Sequence, residues 1–268
     1  MITRKLAKFI KATTFQDLPE ETINKAKTCI LDSLGCALGS LKTIIGEKLI
    51  NLAKYIGGQR QSTIFGTEET TSCNLAAFVN SELVNILDFD DTLVGHPGST
   101  IIPPAIAVGE ITCCTGKELI AATVLGYECD TRIGSALIAE EPRKCLGMPW
   151  QVFGAVTSAG KILNLNEDYM NIAMGVAGSA APIPSDLKCS LNPLNKQFGM
   201  GMVKNNFGYM AETGVRAALL AKMGYTGPYS ILEGENGFWK MAGFNGCHFD
   251  EITAKLGEKY KITNDERG

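Results

Sequence analysis

Apolar residues return every three to four positions along almost the whole chain, and that period restricts the fold more than any other feature. Ile23, Ala26, Ile30, Leu34 and Leu38 fall on one helical face, and Pro19 with Glu20 and Glu21 marks the start of that helix. Leu49, Leu52, Ala53 and Ile56 repeat the spacing until Gly57-Gly58 stops it. The same reading predicts helices over residues 72–86, 102–115, 117–139, 152–163, 167–180 and 208–223. Only Ser62-Thr63-Ile64-Phe65 reads as a strand, and it has no obvious partner in sequence. The run Ala173-Met174-Gly175-Val176-Ala177-Gly178-Ser179-Ala180-Ala181 holds more glycine than helix propensity would select. Such small faces let helix axes approach closely, in a tight core or at a subunit interface. With no repeat and no Pro/Ser linker, the expected fold is all-α, one large helical domain.

Composition removes several function classes. Lys and Arg number 25 against 28 Asp and Glu, so no basic surplus exists for a nucleic-acid interface. A chain of 268 residues buries a core large enough to need no disulfide or metal staple. The nine cysteines are odd in number, form no CxxC, and mostly sit in apolar stretches such as Thr28-Cys29-Ile30-Leu31. They read as reduced core thiols. The N-terminus is charged and lacks the apolar core of a signal peptide, and no uncharged run reaches bilayer-spanning length. A soluble cytoplasmic protein without membrane or nucleic-acid partners is expected.

Chemistry concentrates at Asp88-Phe89-Asp90-Asp91-Thr92-Leu93-Val94-Gly95-His96-Pro97-Gly98, where three carboxylates, a hydroxyl and an imidazole fall within nine positions. The segment should form a loop between two buried helices, where a rigid scaffold presents polar side chains. An imidazole beside carboxylates suits acid–base work near neutral pH, while the same residues also read as a capped helix end with an incidental histidine. Oxygen and nitrogen ligands are present, yet the spacing is no EF-hand and no second histidine is near, so no metal is assigned. A second candidate is Met202-Val203-Lys204-Asn205-Asn206-Phe207-Gly208-Tyr209, at the start of the last long helix. There a lysine and two amides at a helix N-terminus would make an anion site, or a solvated lysine with an asparagine cap. Lys188 and Lys196 lie in the preceding loop. The glycine pattern around Gly234 is not GxGxxG and follows no strand, so no dinucleotide site is expected. Glu128 and Arg132 read as a buried pair bracing two helices.

Taken in order, several segments resemble the MmgE/PrpD family of 2-methylcitrate dehydratases, cis-aconitate decarboxylases and iminodisuccinate epimerases. The likeness is carried by Leu87-Asp88-Phe89-Asp90-Asp91-Thr92, His96-Pro97-Gly98, Pro103-Pro104-Ala105, Gly126-Tyr127-Glu128, Lys204 and Gly224-Tyr225-Thr226-Gly227-Pro228, and it covers nearly the whole chain. The resemblance implies a dimeric helical domain over residues 1–260, with a short tail over 261–268, that carries most of a cofactor-independent site for small di- and tricarboxylates. It implies catalytic roles for Asp88, His96 and Lys204. His96 would be acid and base, Asp88 its orienter or an alternative base, and Lys204 the carboxylate clamp. Asp91, Thr92 and Gln151 are expected to contact substrate, Gln151 and Cys145 standing where many relatives carry a histidine. The implied reaction is dehydration or decarboxylation of a compound such as 2-methylcitrate or cis-aconitate, with epimerisation open to the same site. Family members continue into a smaller α/β lid with another active-site lysine, which is expected to be absent here. The expectation is then either a partner chain that supplies the lid or a non-catalytic helical homodimer. A metal-dependent hydrolase would rest on the aspartate cluster alone.

Overall fold

Several of the main helices start where a side chain or a fixed backbone angle relieves their unpaired N–H groups. The computed structural model describes residues 1–139, 148–183 and 207–263. Helix α1 covers Ile2–Ala12, α2 Glu20–Ser40, α3 Ile44–Ile56, α4 Cys73–Asn85 and α5 Pro97–Thr112. After these come α6 (Gly116–Ala136), α7 (Gln151–Ile162), α8 (Glu167–Ser179) and α9 (Phe207–Lys222). Pro19 precedes α2, whose first turn holds Glu20 and Glu21. Thr43 caps α3 by accepting from the Gly46 N–H at 3.0 Å. Thr115 and Glu118 form a reciprocal capping box on α6, and Asn166 accepts from the Tyr169 N–H at 2.8 Å on α8.

The all-α expectation holds. Among the described residues, the strands are two antiparallel pairs of two residues each, Ser62–Thr63 with Thr70–Thr71 and Leu137–Ile138 with Gly246–Cys247. The partner of the Ser62 segment thus comes from a turn only a few residues later. Helix α1 escapes the apolar period because four lysines and arginines crowd it, yet Leu6, Ala7 and Ile10 are fully buried along one stripe. Its C-terminal carbonyls are held by Lys161, whose Nζ donates to Ile10 O at 2.7 Å and Thr13 O at 2.5 Å. Burial pulls that ammonium down to about 8.

Helix α7 lies at the centre, packed on α5, α6, α8 and α9, and α4 packs on α2, α5 and α9. The small residues make this possible. A Cβ on Gly214 of α9 would lie 2.5 Å from Ala155 Cβ and 2.7 Å from Val156 N of α7. One on Gly175 of α8 would meet Pro228 O at 2.0 Å, so the small face of α8 serves the core of the chain itself. The described cysteines are free thiols, with Cys29, Cys36, Cys73 and Cys129 buried, Cys114 and Cys247 half-buried and Cys113 exposed. No single described helix is long and apolar enough to cross a membrane.

One helix starts earlier than its sequence predicts. The proline pair at Pro103 and Pro104 suggests a start near 102, but α5 begins at Pro97 and carries both prolines inside it. Residues 97–105 are buried throughout, and that packing outweighs the lost N–H groups. The consequence is functional, because His96 becomes the N-cap of α5 and is not a mid-loop residue.

Candidate active site

The aspartate-rich segment joins two buried helices, and its backbone turns sharply twice. Asp88 adopts φ +57°, a left-handed conformation that a short polar side chain tolerates, and Val94 adopts φ +52°, which a β-branched side chain does not favour. Gly95 follows at φ +136°, and a Cβ there would strike Met148 Sδ at 2.7 Å. These turns bring Asp88, Asp90 and His96 together. His96 Nδ1 lies 3.3 Å from Asp90 Oδ1, and His96 Nε2 lies 3.6 Å from Asp88 Oδ1. The Asp90 side chain is 0% exposed, His96 15% and Asp88 51%, so the three form a graded line from core to solvent. Asn85, the last residue of α4, donates to Asp90 Oδ1 at 2.9 Å and fixes that carboxylate. The Phe207 ring, opening α9, stands 5.6 Å from the imidazole centroid.

One carboxylate oxygen of Asp88, one of Asp90 and one ring nitrogen of His96 lie within 4.8 Å of one another. The carboxylates flank opposite ring nitrogens, a geometry that suits a proton relay, while one ligand atom from each residue also lies close enough to share a cation. The resemblance implies that Asp88 orients His96 or serves as an alternative base. In the structure Asp90 occupies the buried place that an orienting carboxylate needs, and Asp88 stands at the solvent end.

Asp91 and Thr92 face elsewhere. With Lys25, Cys29, Leu93, Tyr127 and Ile262 they line a cavity of about 180 Å³ between α2 and α6. Asp91 Oδ2 accepts from Tyr127 OH at 2.8 Å, and Asp91 Oδ1 accepts from the Gly98 N–H at 3.0 Å. Burial, with the charge of neighbouring Asp90, pushes the Asp91 carboxyl up to about 6 despite those donors. Folding therefore takes up a proton at Asp91 between the unfolded value of 3.8 and about 6. Stability contributed by this group is present below pH 4 and lost as pH rises through 6, by roughly 3 kcal/mol for a shift of that size. Comparison of urea unfolding for wild type and Asp91→Asn should show the wild type losing ground to the variant between pH 4 and pH 7. A difference that stays flat with pH counts against the shifted carboxyl.

Gln151 opens α7 and is fully buried, its Nε2 3.1 Å from where a Cβ on Gly95 would lie. It supports the loop from beneath, next to Asp130, whose complete burial raises its carboxyl well above the usual range. Lys204, Asn205 and Asn206 lie outside the described residues, as do Cys145, Lys188 and Lys196. The anion site read at that lysine and those amides lies outside the described residues with them. Within the described part of α9, buried Glu82 of α4 accepts from the Gly208 N–H at 2.8 Å. The sequence marks Asp90 and Tyr127 only as members of a cluster and of a resembling segment, with no role in the site, and does not mark Asn85 at all; the structure places all three around it. Asn85 carries no local signal, since it looks like an ordinary member of a buried helix.

Comparison with known proteins adds a family and relatives. The family model of the MmgE/PrpD N-terminal domain matches residues 4–248. The cis-aconitate decarboxylase of Aspergillus terreus is 28% identical over 256 residues, covering 90% of this chain and 50% of its own length. Proteins of the same name from Mus musculus and Homo sapiens are 28% and 27% identical over 248 residues, covering 88% of this chain and 49% of theirs. The chain spans about half the length of the curated relatives it matches.

Proposed function

The chain belongs to the MmgE/PrpD family, and from that premise we propose that it supplies the acid–base half of a lyase site for a small polycarboxylate, with decarboxylation of cis-aconitate as the reaction. The observation that carries the reading is the imidazole of His96 held between buried Asp90 and exposed Asp88. Carboxylates on both ring nitrogens complement a protonated ring, which suits a proton donor.

In the proposed step the bond from carbon to the leaving carboxylate breaks and CO2 departs. The electron pair spreads into the remaining unsaturated carboxylate, and His96 Nε2 delivers a proton to the resulting carbanion. Asp90 keeps the neutral ring in place, and Asp88, at the solvent end, relays the next proton. Loss of CO2 and gain of one proton balance. Anionic substrate beside two aspartates requires cations, a role for Lys204 and for groups outside this chain.

The test is co-expression of this chain with the C-terminal half of a cis-aconitate decarboxylase relative. Its substrates are cis-aconitate and 2-methylcitrate, and its readouts are CO2 release and proton NMR of the products. The expected result is a five-carbon unsaturated dicarboxylic acid from cis-aconitate. Turnover of neither substrate by a soluble assembly overturns the reading, and water loss from 2-methylcitrate alone moves it to dehydration.

A further inference from the structure

His96 is the N-cap of α5, the place where a side chain ordinarily accepts from the N–H of the second or third helical residue, yet its ring makes no such bond. That task falls to Asp91, whose Oδ1 accepts from Gly98 N at the second position of the helix. We propose that Tyr127 is a positioning residue for His96: its hydroxyl fixes the Asp91 carboxylate that caps α5, and this substitute cap releases the imidazole to face Asp90 and Asp88.

Several observations converge on the clamp. Tyr127 is 1% exposed and sits in the middle of α6, among residues buried from Ala121 to Ile133, so its hydroxyl has a fixed origin. Asp91 is seven residues from Gly98 and bends back across the loop to reach it, so one carboxylate ties the two ends of the segment together. The junction has no spare room. A Cβ on Gly98 would lie 2.3 Å from Asp91 Oδ1, 2.9 Å from Ser33 Oγ of α2 and 3.1 Å from Tyr127 OH. Helix α2, the loop and helix α6 therefore meet at one backbone point, two residues from the imidazole. Below the same loop, Gln151 packs against Gly95, which closes the other side. A histidine capping its own helix would spend a ring nitrogen on a backbone N–H. Here the two nitrogens stand 3.3 and 3.6 Å from carboxylate oxygens.

The proposal rests on His96 being the acid–base group, but its first test reads the ring itself. The sequence holds two histidines, His96 and His248, so the two imidazole Cε1–H resonances of the full chain are resolvable, and His248→Ala assigns them. In Tyr127→Phe the His96 resonance should move by more than the wild-type linewidth while that of His248 stays in place. Ile133→Val, a buried change on the same helix, should lower the melting temperature without moving His96. In an active assembly with the C-terminal half, Tyr127→Phe should lower kcat roughly tenfold with KM little changed, the mark of a misplaced group. Should Tyr127→Phe prove unstable, Asp91→Asn breaks the same clamp and should move the same resonance. An unmoved His96 resonance in folded Tyr127→Phe overturns the proposal and makes Tyr127 a core residue. A moved resonance in an assembly that turns over no substrate leaves the clamp standing and removes the lyase reading instead.

Discussion

Replacing His96 with alanine should lower turnover of cis-aconitate by the paired assembly about 10²–10⁴-fold, the range for losing a positioned general acid. The loss should fall on kcat, because the proton is needed when the carbanion forms and not when substrate binds. Unfolding is not a competing explanation of such a drop. The ring caps no helix, and Asp91 and Tyr127 hold the start of α5 without it. Circular dichroism melting should therefore place His96→Ala close to wild type. Asp90→Asn should give a smaller loss, since an amide still fills the buried place beside Asn85 but no longer complements a protonated ring. Retention of turnover within a factor of two in His96→Ala would sink the assignment of the acid to this residue.

The helices were legible in the sequence, but the face each one buries was legible only in part. Val215 and Ala218 on α9 lie inside where the 3.6-residue repeat puts them, whereas on α2 the buried stripe runs through Thr22, Ala26, Cys29, Ser33 and Cys36, and Leu38, Leu52 and Ile56 of the expected faces are exposed. The period failed where another force dominated it. Lysines conceal α1, whose stripe is narrow, and the proline pair conceals the first turn of α5, which tertiary packing keeps helical. At the site the sequence shows which residues are close in the chain, but not which way each side chain turns. Asp88, Asp90, Asp91 and Thr92 look like one cluster. The left-handed residue at Asp88 and the reversal at Val94-Gly95 sort them onto two sides of the loop. Asp88 and Asp90 thereby reach His96, and Asp91 reaches Tyr127 and Gly98. Partners from distant helices are invisible to local reading altogether, as with Glu82 at the start of α9, 126 residues from Gly208.

The second large effect concerns stability, and it separates two pairs that the sequence writes identically. Glu128 and Arg132 on α6, and Glu212 and Arg216 on α9, are both Glu-x-x-x-Arg, four residues apart on one helix. On α6 the pair is buried: Arg132 Nε lies 2.5 Å from Glu128 Oε1, with side-chain exposures of 4% and 0%. Arg132 also donates to Ala254 O at 2.6 Å, and Glu128 Oε2 accepts from the Lys261 N–H at 2.6 Å, so the pair anchors the chain beyond α9 to the core. Arg132→Ala removes the cation from a carboxylate with no access to water and orphans the carbonyl of Ala254. The cost should be about 3–5 kcal/mol, a fall in melting temperature of roughly 10 °C for a domain of this size. On α9 the Arg216 side chain is 61% exposed, and water replaces the lost contact, so Arg216→Ala should cost about 0.5 kcal/mol or less. Urea unfolding of the two variants measures the contrast, and hydrogen exchange should show residues 249–263 opening first in Arg132→Ala. Glu128→Leu combined with Arg132→Met should recover part of the loss, because no buried charge is then left unpaired, though the Ala254 carbonyl and the Lys261 N–H still lack partners. Equal costs for the two arginines would mean that the α6 pair is hydrated and that the C-terminal segment is held by apolar contacts such as those of Ile252, Tyr260 and Ile262.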